Sequence, residues 1–92
     1  MGVKTLLNTI DQGVVLKKVD LTTNGDYESE YIDSKGKLRP FLLDLPSDGD
    51  MKVMFQDRSV DVFTFREGTS PIVKVIKVYD TGSIVKEFQA IY

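Results

Sequence analysis

The stretch MKVMFQDRSVDVFTF, residues 51–65, decides the fold class. Met51, Val53 and Phe55 alternate and so share one face of an extended chain. Gln56-Asp57-Arg58-Ser59 is polar and turn-forming, and Val60–Phe65 resumes a β-branched and aromatic run. Two such runs joined by a short polar link read as a β-hairpin.

Working outward, the same grammar repeats. Towards the C-terminus, Arg66-Glu67-Gly68-Thr69-Ser70-Pro71 reads as a loop, with Pro71 fixing the start of IVKVIKVY, Ile72–Tyr79, the most β-rich run of the chain. Asp80-Thr81-Gly82 then turns the chain into a last strand, Ser83–Tyr92. Towards the N-terminus, Pro46-Ser47-Asp48-Gly49-Asp50 is a turn, and Leu38–Leu45 a strand whose Pro40 lacks a ladder donor, which marks an edge strand or a strand start. Asp33–Lys37 reads as a further turn, and Tyr27–Ile32 as a strand with Tyr27, Ser29 and Tyr31 on one face. Thr22–Asp26 contains Asn24-Gly25, a tight-turn signal, and follows a first strand over Val14–Leu21. Turn signals recurring about every ten residues predict an all-β domain of about seven short antiparallel strands, a small, jelly-roll-like β-sandwich over residues 14–92.

Residues 1–13 break the pattern. Val3, Leu6, Leu7 and Ile10 fall at i, i+3, i+4 and i+7, the spacing of one helix face, with Gly13 near a C-cap position. The same residues would also serve as an extended strand, and both readings stay open. In either form this apolar N-terminal arm is expected to be able to dock on a neighbouring copy.

Ninety-two residues make one domain with one modest core, burying about two-thirds of the unfolded surface. The net charge of −2 and the scattered lysines, none in a cluster larger than Lys17-Lys18, lack the basic footprint of a nucleic-acid binder. No apolar run reaches membrane-spanning length. The N-terminal apolar stretch is too short for a signal peptide, and a soluble intracellular site of synthesis is expected.

The chain contains no His, no Cys and no Trp. It therefore has no Ser-His-Asp or Cys-His constellation, no disulfide, and none of the main nitrogen and sulfur ligands of transition metals. The glycines come singly, one to a turn, and never as a phosphate-binding loop. Glu28 with Glu30, or Asp48 with Asp50, are carboxylate pairs, but each falls on a single strand or turn and reads as a solvated surface. Asp44, Asp48 and Asp50 offer oxygen ligands without the spacing of a calcium loop. No enzymatic activity, cofactor or metal is expected. Among the aromatics, Phe55, Phe63, Phe65 and Phe88 read as core; Tyr27, Tyr31 and Phe41 read either as an exposed stripe for binding sugar or protein or, for the tyrosines, as rim packing on a sheet face, the commoner use.

The order of features in the second half carries a resemblance. Val60–Phe65 is followed by Arg66-Glu67-Gly68, the Pro-led run Ser70–Val78, the turn Thr81-Gly82-Ser83 and a close in Ala90-Ile91-Tyr92. With the Gly49-Asp50 turn ahead of Met51–Phe55, residues 49–92 resemble short tailed-phage virion proteins of the spike-base and head-auxiliary, capsid-decorating type. Arg66-Glu67-Gly68 is more charged than the apolar loop usual there, and Tyr79-Asp80 stands where smaller residues are common. The resemblance implies a β-sandwich and a structural component of the virion head, made in the host cytoplasm. It also implies several copies assembling with one another, or with a major capsid protein or a spike or fibre protein. Contacts are then expected through the arm (Val3, Leu6, Leu7, Ile10) and the last strand (Phe88, Ile91, Tyr92). A small carbohydrate-binding module using Tyr27, Tyr31 and Phe41 is the alternative.

Overall fold

A computed structural model describes residues 15–69 and 73–92. The N-terminal arm, including Val3, Leu6, Leu7 and Ile10, and the expected role of Pro71 lie outside the described residues. Those described form eight strands, β1 (Leu16–Asp20), β2 (Tyr27–Glu28), β3 (Leu42–Leu45), β4 (Gly49–Phe55), β5 (Val60–Phe65), β6 (Gly68–Thr69), β7 (Val75–Tyr79) and β8 (Glu87–Ile91), and a single helical turn, α1 (Leu21–Asn24).

The strands make two four-stranded sheets, ordered β1-β8-β3-β6 and β2-β7-β4-β5, with antiparallel pairing throughout. The pairs β4–β5, β3–β6, β2–β7 and β1–β8 nest one inside the next. The chain is thus one long hairpin of paired strands rolled up so that β8 meets β3 in one sheet and β7 meets β4 in the other. That is the jelly-roll arrangement, and the expected all-β sandwich is present.

The core forms where the two inner faces meet. Val19, Leu43, Leu45, Phe88 and Ala90 come from one sheet and Met51, Val53, Phe65, Val75 and Val78 from the other, all buried. Val75 and Val78 are three apart, so strict alternation would send one of them outward. A bulge between Met54 and Phe55 resolves this: Val75 pairs with Phe55 and Lys77 with Met54, and Ile76 is the extra residue. The β-rich run over Ile72–Tyr79 carries no local mark of this shift of face.

Several elements differ from expectation for local reasons. Thr22–Asp26 is not a tight hairpin turn. Asp20 ends β1 and caps α1, its Oδ1 accepting the N–H groups of Thr22 (3.0 Å) and Thr23 (3.3 Å), and Gly25 closes the turn at φ 75°. The expected strand Tyr27–Ile32 stops at Glu28, because Ser29 turns inward and its hydroxyl donates to the Arg39 carbonyl at 2.6 Å. Pro40 precedes β3, which lies between β8 and β6, so it marks a strand start and not an edge. Gly68-Thr69, expected as loop, pairs with Asp44 and Leu45.

Candidate protein-binding edge

An open sandwich has exposed strand edges, and each needs protection against unwanted pairing. Among the described residues, β2 and β6 limit theirs by being two residues long. β1 carries Lys17 and Lys18. The remaining edge, β5, is six residues long, and five of them are exposed.

The hairpin that places β5 is locally specified. Asp57 accepts the Ser59 N–H at 2.9 Å as well as the Ser59 hydroxyl, and these hydrogen bonds, the hydroxyl foremost, hold the Asp57 carboxyl below its ordinary pKa. Arg58 takes the left-handed conformation that closes the turn, at φ 75°. The Phe55 N–H then bonds the Ser59 carbonyl, which sets the alternation along the strand. Asp61, Phe63 and Phe65 exchange hydrogen bonds with β4, while Val60, Val62 and Thr64 direct their backbone groups away from the sheet.

Val62 shows the consequence. Its outward N–H has no strand partner and is taken by the carboxylate of its neighbour, Asp61, at 2.8 Å. Val60 and Val62 lie on the outer face, 43% and 50% exposed. Phe63 points to the inner face opposite Met51, stacks edge-on against Phe65 at 4.9 Å, and is still 38% exposed. The expectation that Phe63 is core is corrected accordingly. A solvated apolar strand with outward-facing backbone groups is the kind of edge to which another strand can add.

The residues singled out from sequence are dispersed. Phe88 and Tyr92 are 4% and 7% exposed and belong to the chain's own core, so they are not surface contacts; this corrects the expected C-terminal interface. Ile91, between them, points to the outer face, where it pairs with Leu16 on one side and Leu42 on the other. The stacking stripe is also corrected. Phe41 is 1% exposed, Tyr27 packs edge-on against it at 5.3 Å, and Tyr31 packs on Tyr92 at 4.7 Å. Polar chemistry binds these rings inward too, because the Tyr27 and Tyr92 hydroxyls share a hydrogen bond of 2.6 Å and Tyr92 accepts the Glu30 N–H at 3.1 Å.

The carboxylates are likewise used locally. Glu30 pairs with Lys17 at 3.3 Å, Asp48 accepts the Glu67 N–H at 2.6 Å, and Asp50 accepts the Thr64 hydroxyl. Among the described residues no group of three or more His, Cys, Asp or Glu side chains is placed to hold a metal ion, and no helix is long and apolar enough to cross a membrane. The sequence did hold a signal for β5: in Val60–Phe65 both alternating sets contain apolar residues, a pattern that fits a strand covered on both faces, whereas Val60, Val62 and Phe63 are exposed here.

No family model matches the chain, and neither a curated protein nor a solved structure matches it.

Proposed function

We propose that this chain is a non-enzymatic structural component of a phage virion, a head-decorating protein or the base of a spike or fibre, which docks on the particle through its strand edges. The observation that carries the reading is β5, a six-residue edge with Val60, Val62 and Phe63 open to solvent on its two faces. Strand addition at such an edge uses main-chain hydrogen bonds for affinity and side-chain alternation for specificity, so it needs no cleft and no reactive group. The jelly roll supports the reading in kind, since capsid and lectin domains use it. So does the resemblance of residues 49–92 to spike-base and head-auxiliary proteins. Its partners are then a major capsid protein or a spike or fibre protein, its place the virion head, and the N-terminal arm a second contact.

Co-expression with a tailed-phage major capsid protein, followed by gradient sedimentation, tests the proposal. The chain is expected to travel with assembled shells, and Val62→Lys, which sets a charge on the docking edge, to release it. A chain that stays at the top of the gradient beside intact shells overturns it.

A further inference from the structure

We propose that the strand added to β5 is β1 of a second copy, so that the chain assembles head to tail. The inference rests on the reading of β5 as a docking edge and names what fills it. β1 is the other edge longer than two residues among those described. Its backbone is available in the same way. Val15 and Leu21 bond to β8 through Tyr92 and Lys86, so the odd-numbered residues face β8 and Leu16, Lys18 and Asp20 direct their backbone groups outward.

The outward sets of the two edges are both even-numbered. An antiparallel pairing must therefore set even against even, and this keeps the inner faces of the two sheets on one side. One register sets apolar against apolar and charge against charge. Val62 falls opposite Leu16 of the second copy, and Val60 opposite Lys18. Asp61 falls opposite Lys17, and Phe63 opposite Val15. Asp61–Lys17 and Phe63–Val15 are non-hydrogen-bonded pairs, in which side chains approach most closely. Lys17 is half-exposed and already pairs with a carboxylate, Glu30, at 3.3 Å, so it has the reach to take another. Sliding β1 by two residues in either direction loses the ion pair, setting Asp61 against Val15 or against Val19.

Pairing β5 with itself about a two-fold axis does less well. Centred on Val62 it sets Asp61 against Phe63, and centred on Phe63 it sets Asp61 against Phe65, so in neither does the carboxylate meet a cation. Charge complementarity thus selects β1. Because β5 and β1 are different surfaces, the contact is heterologous and repeats into a ring or an open row, which suits a protein present in many copies on a shell.

Sedimentation velocity of the full chain, without capsid protein, reads this out. The mean mass is expected to rise with concentration. To remove the intramolecular pair of Lys17, the charge series is made in Glu30→Gln. Asp61→Lys and Lys17→Asp should each weaken association at least tenfold, and the two together should restore it to within threefold. Circular dichroism and cooperative urea unfolding establish that each variant is folded. A chain monomeric up to millimolar concentration, or a double variant no better than its parents, overturns the head-to-tail contact. Shell co-sedimentation is scored separately. A monomeric chain that still rides on shells leaves the virion reading standing and removes this one, and a self-assembling chain that ignores shells does the reverse.

Discussion

At Gly49 the constraint is space. A Cβ there would fall 2.6 Å from Val85 Cγ2, and Val85 is a stiff, β-branched side chain that is 8% exposed. Gly49→Ala is expected to cost about 1–3 kcal/mol through overpacking. In a Val85→Ala background the same change should cost about 1 kcal/mol less, a coupling that a double-mutant cycle in urea measures. The paired tyrosines carry a second prediction. Burial pushes the phenol of Tyr27 far above its ordinary value, assisted by its hydrogen bond with Tyr92, and burial also raises that of Tyr92. The folded state therefore holds these protons more tightly than the unfolded chain. Their contribution to stability is complete below pH 10, the ordinary phenol value, and is lost as pH rises above it. Urea midpoints should fall from pH 10 upward, and the phenolate absorbance of Tyr27 and Tyr92 should grow in together with the loss of β-sheet circular dichroism. A Tyr27→Phe, Tyr92→Phe variant, whatever its starting stability, should show a shallower alkaline decline; an equally steep one would mean that other groups control it.

Along β5, stability and association are carried by different positions. Val53, fully buried on the neighbouring strand, should cost about 1.5–3 kcal/mol when its burial is lost in Val53→Ala. Val62→Lys should stay within about 0.5 kcal/mol of the parent in the monomer, since its side chain is half-exposed, while weakening association. Amide exchange is expected to alternate in dilute solution, slow at Asp61, Phe63 and Phe65, which bond to β4, and fast at Val60, Val62 and Thr64. Slowing of the fast set at high protein concentration would report the added strand; uniform exchange along β5 would contradict the assigned hydrogen bonds. The hairpin itself was legible in residues 51–65, because alternation and a polar turn act locally. The face of each residue in β7 was not, since the bulge at Ile76 depends on pairing with β4. Nor was α1, whose Asp20 cap sits in what reads as a strand. Tyr27, Phe41 and Phe88 mark the limit for the site. Whether an aromatic on a strand is a surface platform or core depends on which sheet closes over it.

For the molecule as a whole, nesting fixes the order in which contacts can form. Only β4–β5, of the four pairs in the rolled hairpin, is joined by a short turn, Gln56–Ser59. Each pair outside it closes a longer loop, up to β1–β8, where Leu16 meets Ile91. Loop closure is least costly in entropy when inner pairs are already formed, because each then leaves a short remaining loop for the next. The inner hairpin, packed with β7, is therefore expected to form the folding nucleus and β1–β8 to close last. Topologies dominated by such distant pairings refold in milliseconds to seconds. The sequence shows strands and turns but not this nesting, since pairing partners as distant as Leu16 and Ile91 leave no local mark. Stopped-flow measurements in urea test the order. Val53→Ala, in β4, should mainly lower the refolding rate. Val19→Ala, in β1, should leave refolding nearly unchanged and raise the unfolding rate. The reverse assignment, with Val19→Ala slowing refolding, would mean that the chain ends meet first and that the roll closes from outside in.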